Sequence, residues 1–175
     1  YLVPVKNAPT VTTMVAYRVG SADEEKDQTG LSHYLEHLMF KGTKTLIPGQ
    51  FSKEVARNGG RENAFTGKDY TGYYQQIPAN RLADVMRLEA DRFANNQWAD
   101  AEFAKEIEVV KEERRLRTES TPTGVFQEQF DSMFWMSSPY SWPVIGWTSD
   151  LNSYTMDEAM KYWNTYYRPN NLVGI

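Results

Sequence analysis

The chain holds only two histidines, and they stand four positions apart in "LSHYLEHLMFKGT" (31–43), as His33 and His37 with Glu36 between them. Two histidines placed at random would show that separation about one time in a hundred. On a helix, residues four apart lie one turn apart on one face, so both imidazoles can aim a nitrogen at the same point. Glu36, three residues after His33, shares that face. Leu31, Leu35 and Leu38 fall on the opposite side, which would bury the helix and leave its His/Glu side lining a polar site. Neutral imidazoles suit Zn²⁺, and a neighbouring carboxylate that is not a ligand can take a proton from a water the metal activates. Two histidines on a solvated helix face are the plainer reading; the ordered H-x-x-E-H string with an apolar back argues against it.

A third ligand is expected from "EFAKEIEVVKEERRLR" (102–117). Its apolar stripe runs through Phe103, Ile107 and Val110, and Glu106 and Glu113 flank that stripe, nearly superimposed in helical projection. Glu112 points almost directly away from it. Glu113 is therefore the candidate third ligand, with Glu106 one layer behind as an acid that orients or tunes the site. Lys111, Glu112, Arg114 and Arg115 read as a solvated face held by local ion pairs.

The elements that must position these groups follow from pattern and punctuation. "TVTTMVAYRVGS" (10–21) reads as a strand, and a helix is expected over roughly 30–41 with Thr29 as N-cap and Lys41-Gly42 as its stop. "PGQFSKEVARNGG" is a second short helix. "ENAFTGKDYTGYYQQIP" (62–78) carries two strands, or a strand and a hairpin arm, around a turn at Gly67-Lys68-Asp69. "NRLADVMRLEADRFAN" is a helix with Leu82, Val85, Met86, Leu88 and Phe93 mostly on one side, and a longer helix spans about 100–117. After a break at 118–124 an amphipathic piece surrounds "VFQEQFDSMFW", then a Pro/Gly-containing loop covers 137–150. Thr155 and Glu158 match a capping box opening a helix that stops before Pro169, and a strand returns at the end. The implied class is α+β, a mainly antiparallel sheet with helices packed on one face, in a single domain over 1–175.

Composition narrows the partners. With 175 residues, 41% hydrophobic and 24% charged, the chain has the balance of an ordinary globular domain. A net charge of −4 with no Lys/Arg run gives no field for nucleic acid. No apolar stretch approaches the roughly 20 residues of a membrane span. The absence of cysteine rules out disulfides and thiolate metal sites and leaves the compartment open. Starting at Tyr1 and stopping in "NNLVGI", the sequence reads as part of a longer polypeptide.

With "HYLEH" followed by Glu113 in "VVKEE", the chain resembles the inverted-motif zinc peptidases of the pitrilysin family, the inverzincins. "GLSHYLEHLMFKGT", "NGGRENAFTGKDYTGYY", "SPYSWPVIG" and "YYRPNNLVGI" match in the family's order along nearly the whole chain. The resemblance implies the LuxS/MPP-like metallohydrolase half, a bound Zn²⁺ held by His33, His37 and Glu113, Glu36 as general base, and Glu106 as companion acid. It also implies that "ENAFT" is an edge strand to which an extended peptide adds, which brings in Asn63, Ala64 and Phe65 as substrate-binding residues; Asn63 alone also reads as a turn residue after Gly59-Gly60. Family members generally use a second half, on the same chain or a partner subunit, and nothing here matches it. Self-association into a homo-oligomer stays open, and exported bacterial members point to the periplasm only by analogy.

A non-catalytic scaffold or peptide-binding subunit of the same fold is the main competing reading; a scaffold has no need of a complete ligand set. A di-metal oxidase would want Glu-x-x-His on several helices. The aromatic cluster in "TYYRPNNL" is read as core under the last strand rather than a carbohydrate platform.

Overall fold

A computed structural model describes residues 1–175. Four strands, β1 (Thr10–Tyr17), β2 (Arg61–Thr66), β3 (Thr71–Pro78) and β4 (Leu172–Gly174), form one sheet in the order β2-β3-β1-β4, antiparallel throughout. Seven helices complete it: α1 (Leu31–Leu38), α2 (Gln50–Arg57), α3 (Leu82–Asn95), α4 (Asp100–Arg114), α5 (Pro122–Trp135), α6 (Thr148–Leu151) and α7 (Met156–Tyr166). None is long and apolar enough to cross a membrane.

The register pairs Val15 with Tyr73 and Tyr17 with Thr71, so alternate residues of β1 and β3 face one side. Tyr17 and Tyr73 meet Leu31, Tyr34, Leu35 and Leu38 of α1, Phe103 and Val110 of α4, and Tyr162 of α7 in the main core. Ile77 meets Phe51, Val55 and Val85 from α2 and α3 in a second one. Leu31, Leu35 and Leu38 are fully buried, which stabilises α1 by roughly 1.5–3 kcal/mol apiece, several times the ~0.2–0.5 kcal/mol of a surface side-chain pair. That apolar side decides how α1 lies and therefore where its His/Glu side points.

Several local expectations are corrected. The β1 strand leaves the sheet at Tyr17, because Ser21 and Ala22 donate instead to the carbonyls of Gly67 and Lys68 in the β2–β3 turn. Thr29 does not cap α1. Its hydroxyl donates to Asp150 at 2.6 Å, while the free N–H groups of Gly30 and Ser32 go to the two oxygens of buried Glu24, each at 2.8 Å. Gly30 has φ 90°, and a Cβ there would lie 2.5 Å from the Ile145 carbonyl oxygen, so the start of α1 tolerates no side chain. The capping box at α7 stands, with Thr155 N–H donating to Glu158 at 2.8 Å and Glu158 N–H to the Thr155 hydroxyl at 3.3 Å.

On α3, Met86 is exposed while Glu89 and Arg92 are buried. The Arg92 guanidinium lies 4.2–4.9 Å from the ring centres of Phe51, Phe40 and Tyr73, and Glu89 accepts from it and from Gln75. Three aromatic faces and a carboxylate offset the desolvation of that cation. Arg114 is likewise not on a solvated face. It is 5% exposed, donating to Glu128 at 2.7 and 2.9 Å and to the Gly146 carbonyl at 2.9 Å, which ties α4 to α5 and to the loop before α6. The expected amphipathic α5 forms, but none of its residues is buried; Phe126, Phe130 and Phe134 stack in an exposed row. The last three residues of the expected 137–150 loop open α6.

Candidate metal centre

α1 and α4 pack together and present their polar sides to one cleft of about 840 Å³, closed on its other sides by β2, α5 and the 141–145 loop. His33 Nε2 stands 3.7 Å and His37 Nε2 3.2 Å from Glu113 Oε2, and one donor atom from each of the three lies within 4.8 Å of the others. Donors bound to one Zn²⁺ at about 2.0–2.2 Å in tetrahedral array stand roughly 3.3 Å apart, so this set of two imidazole nitrogens and one carboxylate oxygen fits that ion.

Glu106 lies beside His37. Glu106, 4% exposed, accepts from His37 Nδ1 at 2.9 Å and leaves Nε2 facing Glu113. Glu112, by contrast, is half exposed and pairs only with Arg115. The face assignment made from the α4 stripe therefore separates two adjacent glutamates correctly.

Electrostatics differ around the site. Burial pulls the His37 imidazole down, but hydrogen bonds to Glu106 and Glu113 outweigh it and push it up to about 9. Burial and the neighbouring His37 hold His33 down to about 4. The His37 hydrogen bond holds Glu113 below the usual carboxylate range, and Glu106 is lowered too, its own burial being overcome by His37 and Lys41. Glu36 goes the other way: burial raises it, and the bond from Thr66 only partly offsets that.

Glu36 belongs to the same cleft but not to the three-donor group, and its Oε2 accepts from Thr66 Oγ1 at 2.5 Å. Thr66 ends β2, so the acid on α1 is tied to the sheet edge. β2 pairs with β3 alone and is the edge strand. Asn63, Ala64 and Phe65 line the cleft from it, with the Ala64 side chain on the helix side and those of Asn63 and Phe65 on the other face of the sheet. Asn63 is a strand residue, not a turn residue, and its Oδ1 accepts from Ala64 N–H at 2.9 Å. That N–H points away from β3 at the open edge of the sheet, where its partner is the Asn63 side chain and not a neighbouring strand.

Three further side chains in the cleft were not singled out from sequence: Thr66, Lys41, whose ammonium is 2.5 Å from Glu106 Oε2, and Arg117, which pairs with Glu113 Oε1. Lys41 was read only as part of a helix stop, and Arg117 only as the end of the expected 100–117 helix. Both readings are local, and neither contains the partner.

Comparison with known proteins now bears on this arrangement. The sequence model described as insulinase, peptidase family M16, matches residues 2–146. The zinc protease PqqE of Helicobacter pylori is 37% identical over 172 residues, covering 98% of this chain and 39% of that protein. A crystal structure of a protease from Helicobacter pylori superposes with a TM-score of 0.95 at 36% identity, over 98% of this chain and 42% of that one. The first half of the periplasmic protease PqqL from Escherichia coli shares the fold, with a TM-score of 0.86 at 23% identity over 97% of this chain and 37% of that one. The chain thus spans about two fifths of the length of the relatives it matches.

Proposed function

The chain belongs to the insulinase family, peptidase family M16, and from that membership we propose that it is the zinc-holding domain of an endopeptidase that hydrolyses extended peptides. The observation that carries this reading is the convergence of His33, His37 and Glu113, from two helices distant in sequence, within 4.8 Å. These three hold the ion. When bound, zinc supplies a Lewis acid that polarises a scissile carbonyl and makes water acidic enough to attack near neutral pH.

The remaining work falls to the chain's own groups. Glu106 fixes His37 with Nε2 toward the ion. Glu36 accepts the proton of the attacking water and returns it to the leaving amine; its raised pKa moves it toward the pH at which a carboxylate both takes and gives a proton. An extended peptide adds to β2, where Ala64 N–H is available once the Asn63 amide turns away, and Phe65 and Asn63 flank the added strand. The Thr66 hydroxyl links that edge to Glu36, so the bound backbone and the base keep one spacing.

Zinc uptake should also move a proton. Because His37 is raised above its ordinary value, it holds its proton from low pH up to about 9, whereas His33 is already neutral near pH 7. A cation needs the lone pair, so uptake at pH 7 releases about one proton, and zinc affinity rises about tenfold per pH unit until pH 9. Titrating zinc into weakly buffered protein with a pH indicator measures this; no release at pH 7 would show His37 to be neutral already.

The relatives extend well beyond the region matched, and the exposed Phe126, Phe130 and Phe134 row lies on α5, which also borders the cleft through Gln127, Glu128 and Asp131. We place the rest of the catalytic machinery in a further polypeptide half, on the same chain or a partner. The 175-residue chain alone is then expected to take up zinc yet cleave a fluorogenic peptide poorly or not at all. Robust, chelator-sensitive turnover by the verified isolated chain would sink this part of the reading. A scaffold role without chemistry is favoured by no observation, since the three donors and the base are all present.

A further inference from the structure

Resting on the zinc reading above, we propose that Arg117 is a positioning residue that restricts Glu113 to a single ligand oxygen. Glu113 is divided between two kinds of partner. Its Oε2 faces both imidazoles, at 3.2 and 3.7 Å, while its Oε1 pairs with the Arg117 guanidinium. Glu106 is divided in the same way, Oε1 toward His37 at 2.9 Å and Oε2 toward the Lys41 ammonium at 2.5 Å. At both acids a cation occupies the oxygen that the histidine side leaves over.

The backbone changes form beside this contact. α4 gives way at Arg115 to a π-helical turn, Arg115–Glu119, closed by Ser120 N–H donating to the Arg115 carbonyl at 2.9 Å. Arg117 lies within this turn, four residues after Glu113, a spacing at which side chains on a helix surface meet. The guanidinium is 76% exposed, so the pair adds little to the stability of the fold and is explained poorly as a stabilising bridge. Arg115, two residues earlier, pairs with Glu112 on the far side of the helix and shows what an ordinary surface pair looks like here.

The consequence is chemical. A carboxylate free at both oxygens can chelate a cation through both, and the second oxygen would then occupy the position that a hydrolytic site keeps open for water and substrate. With Oε1 held by Arg117, Glu113 contributes one oxygen and the position stays open.

Cobalt(II), whose visible absorption weakens as coordination rises from four to five, reads this directly. The 175-residue chain and its Arg117→Leu, Arg117→Lys and Arg115→Leu variants would be titrated with Co²⁺, with circular dichroism as the check on fold. The unaltered chain, Arg117→Lys and Arg115→Leu are expected to share one intense four-coordinate spectrum, and Arg117→Leu to lose intensity several-fold while still binding one Co²⁺. An Arg117→Leu spectrum that superimposes on the unaltered one overturns the proposal, and so does an equal loss in Arg115→Leu, which would make general surface charge the cause. Absence of cobalt binding in the unaltered chain overturns the zinc reading and this inference with it, whereas a change confined to Arg117→Leu bears on Arg117 alone.

Discussion

Glu36→Gln is expected to lower peptide cleavage by about 10²–10⁴-fold, the usual contribution of a positioned general base, while leaving the zinc content of the protein unchanged. The separation of the two effects follows from position. Glu36 lies outside the three-donor group, and its raised pKa, caused first by burial, suits proton transfer rather than ligation. Glutamine keeps the size of the side chain and an oxygen able to accept from Thr66, so α1 and the edge strand stay joined. What is lost is the basic lone pair. The comparison is made on the form of the polypeptide that cleaves, with kcat from a fluorogenic peptide and zinc from elemental analysis. Turnover within tenfold of the unaltered protein would remove Glu36 from the chemistry, and loss of zinc would make it a ligand instead.

The second large effect separates neighbours. The unaltered chain and Glu112→Gln are expected to hold one zinc each, and Glu113→Gln to bind it more weakly by well over the 10–100-fold that loss of a partner around the ligands costs. Glu113 supplies an oxygen 3.2 Å from His37 Nε2, and removing its charge takes away the only carboxylate in the donor group. Glu112, one residue away, is half exposed and bound to Arg115, so its replacement touches nothing in the cleft. Zinc affinity by chelator competition decides the matter. Equal losses in both variants would mean that the charge of the α4 terminus, rather than one directed oxygen, holds the ion.

Much of this site was legible because it is built from helical periodicity. The pairing of His33 with His37, the burial of Leu31, Leu35 and Leu38, and the inward turn of Glu106 and Glu113 against the outward turn of Glu112 all follow from about 100° of rotation per residue and a need to bury one side. The capping box at Thr155 was legible for the same reason, since its partners lie three residues apart. The strands at 61–66 and 71–78 announced themselves through β-favouring residues around a Gly-containing turn.

Where periodicity was the only guide, charge and contact over distance defeated it. Met86 has the character of a core residue yet is exposed, whereas Arg92 is buried, acceptable there only because Phe40, Phe51, Tyr73 and Glu89 come together around it. Arg114 left the solvated face for Glu128 and the Gly146 carbonyl, and Thr29 gave up its cap for Asp150 while Glu24 supplied the acceptors. The row of phenylalanines on α5 had the composition of a buried face and found no cover within this chain.

By itself, then, the sequence determined which residues could share a helix face and which chemistry they could do, because covalent geometry sets side-chain direction within a few turns. Only the tertiary structure decided that α1 and α4 meet at one point, that Thr66 ties Glu36 to the sheet edge, and that Arg117 and Lys41 each take one oxygen of a cleft carboxylate. A buried or shared charge is stable only where partners from distant segments converge, and that convergence is a property of the packed chain, not of any stretch of it.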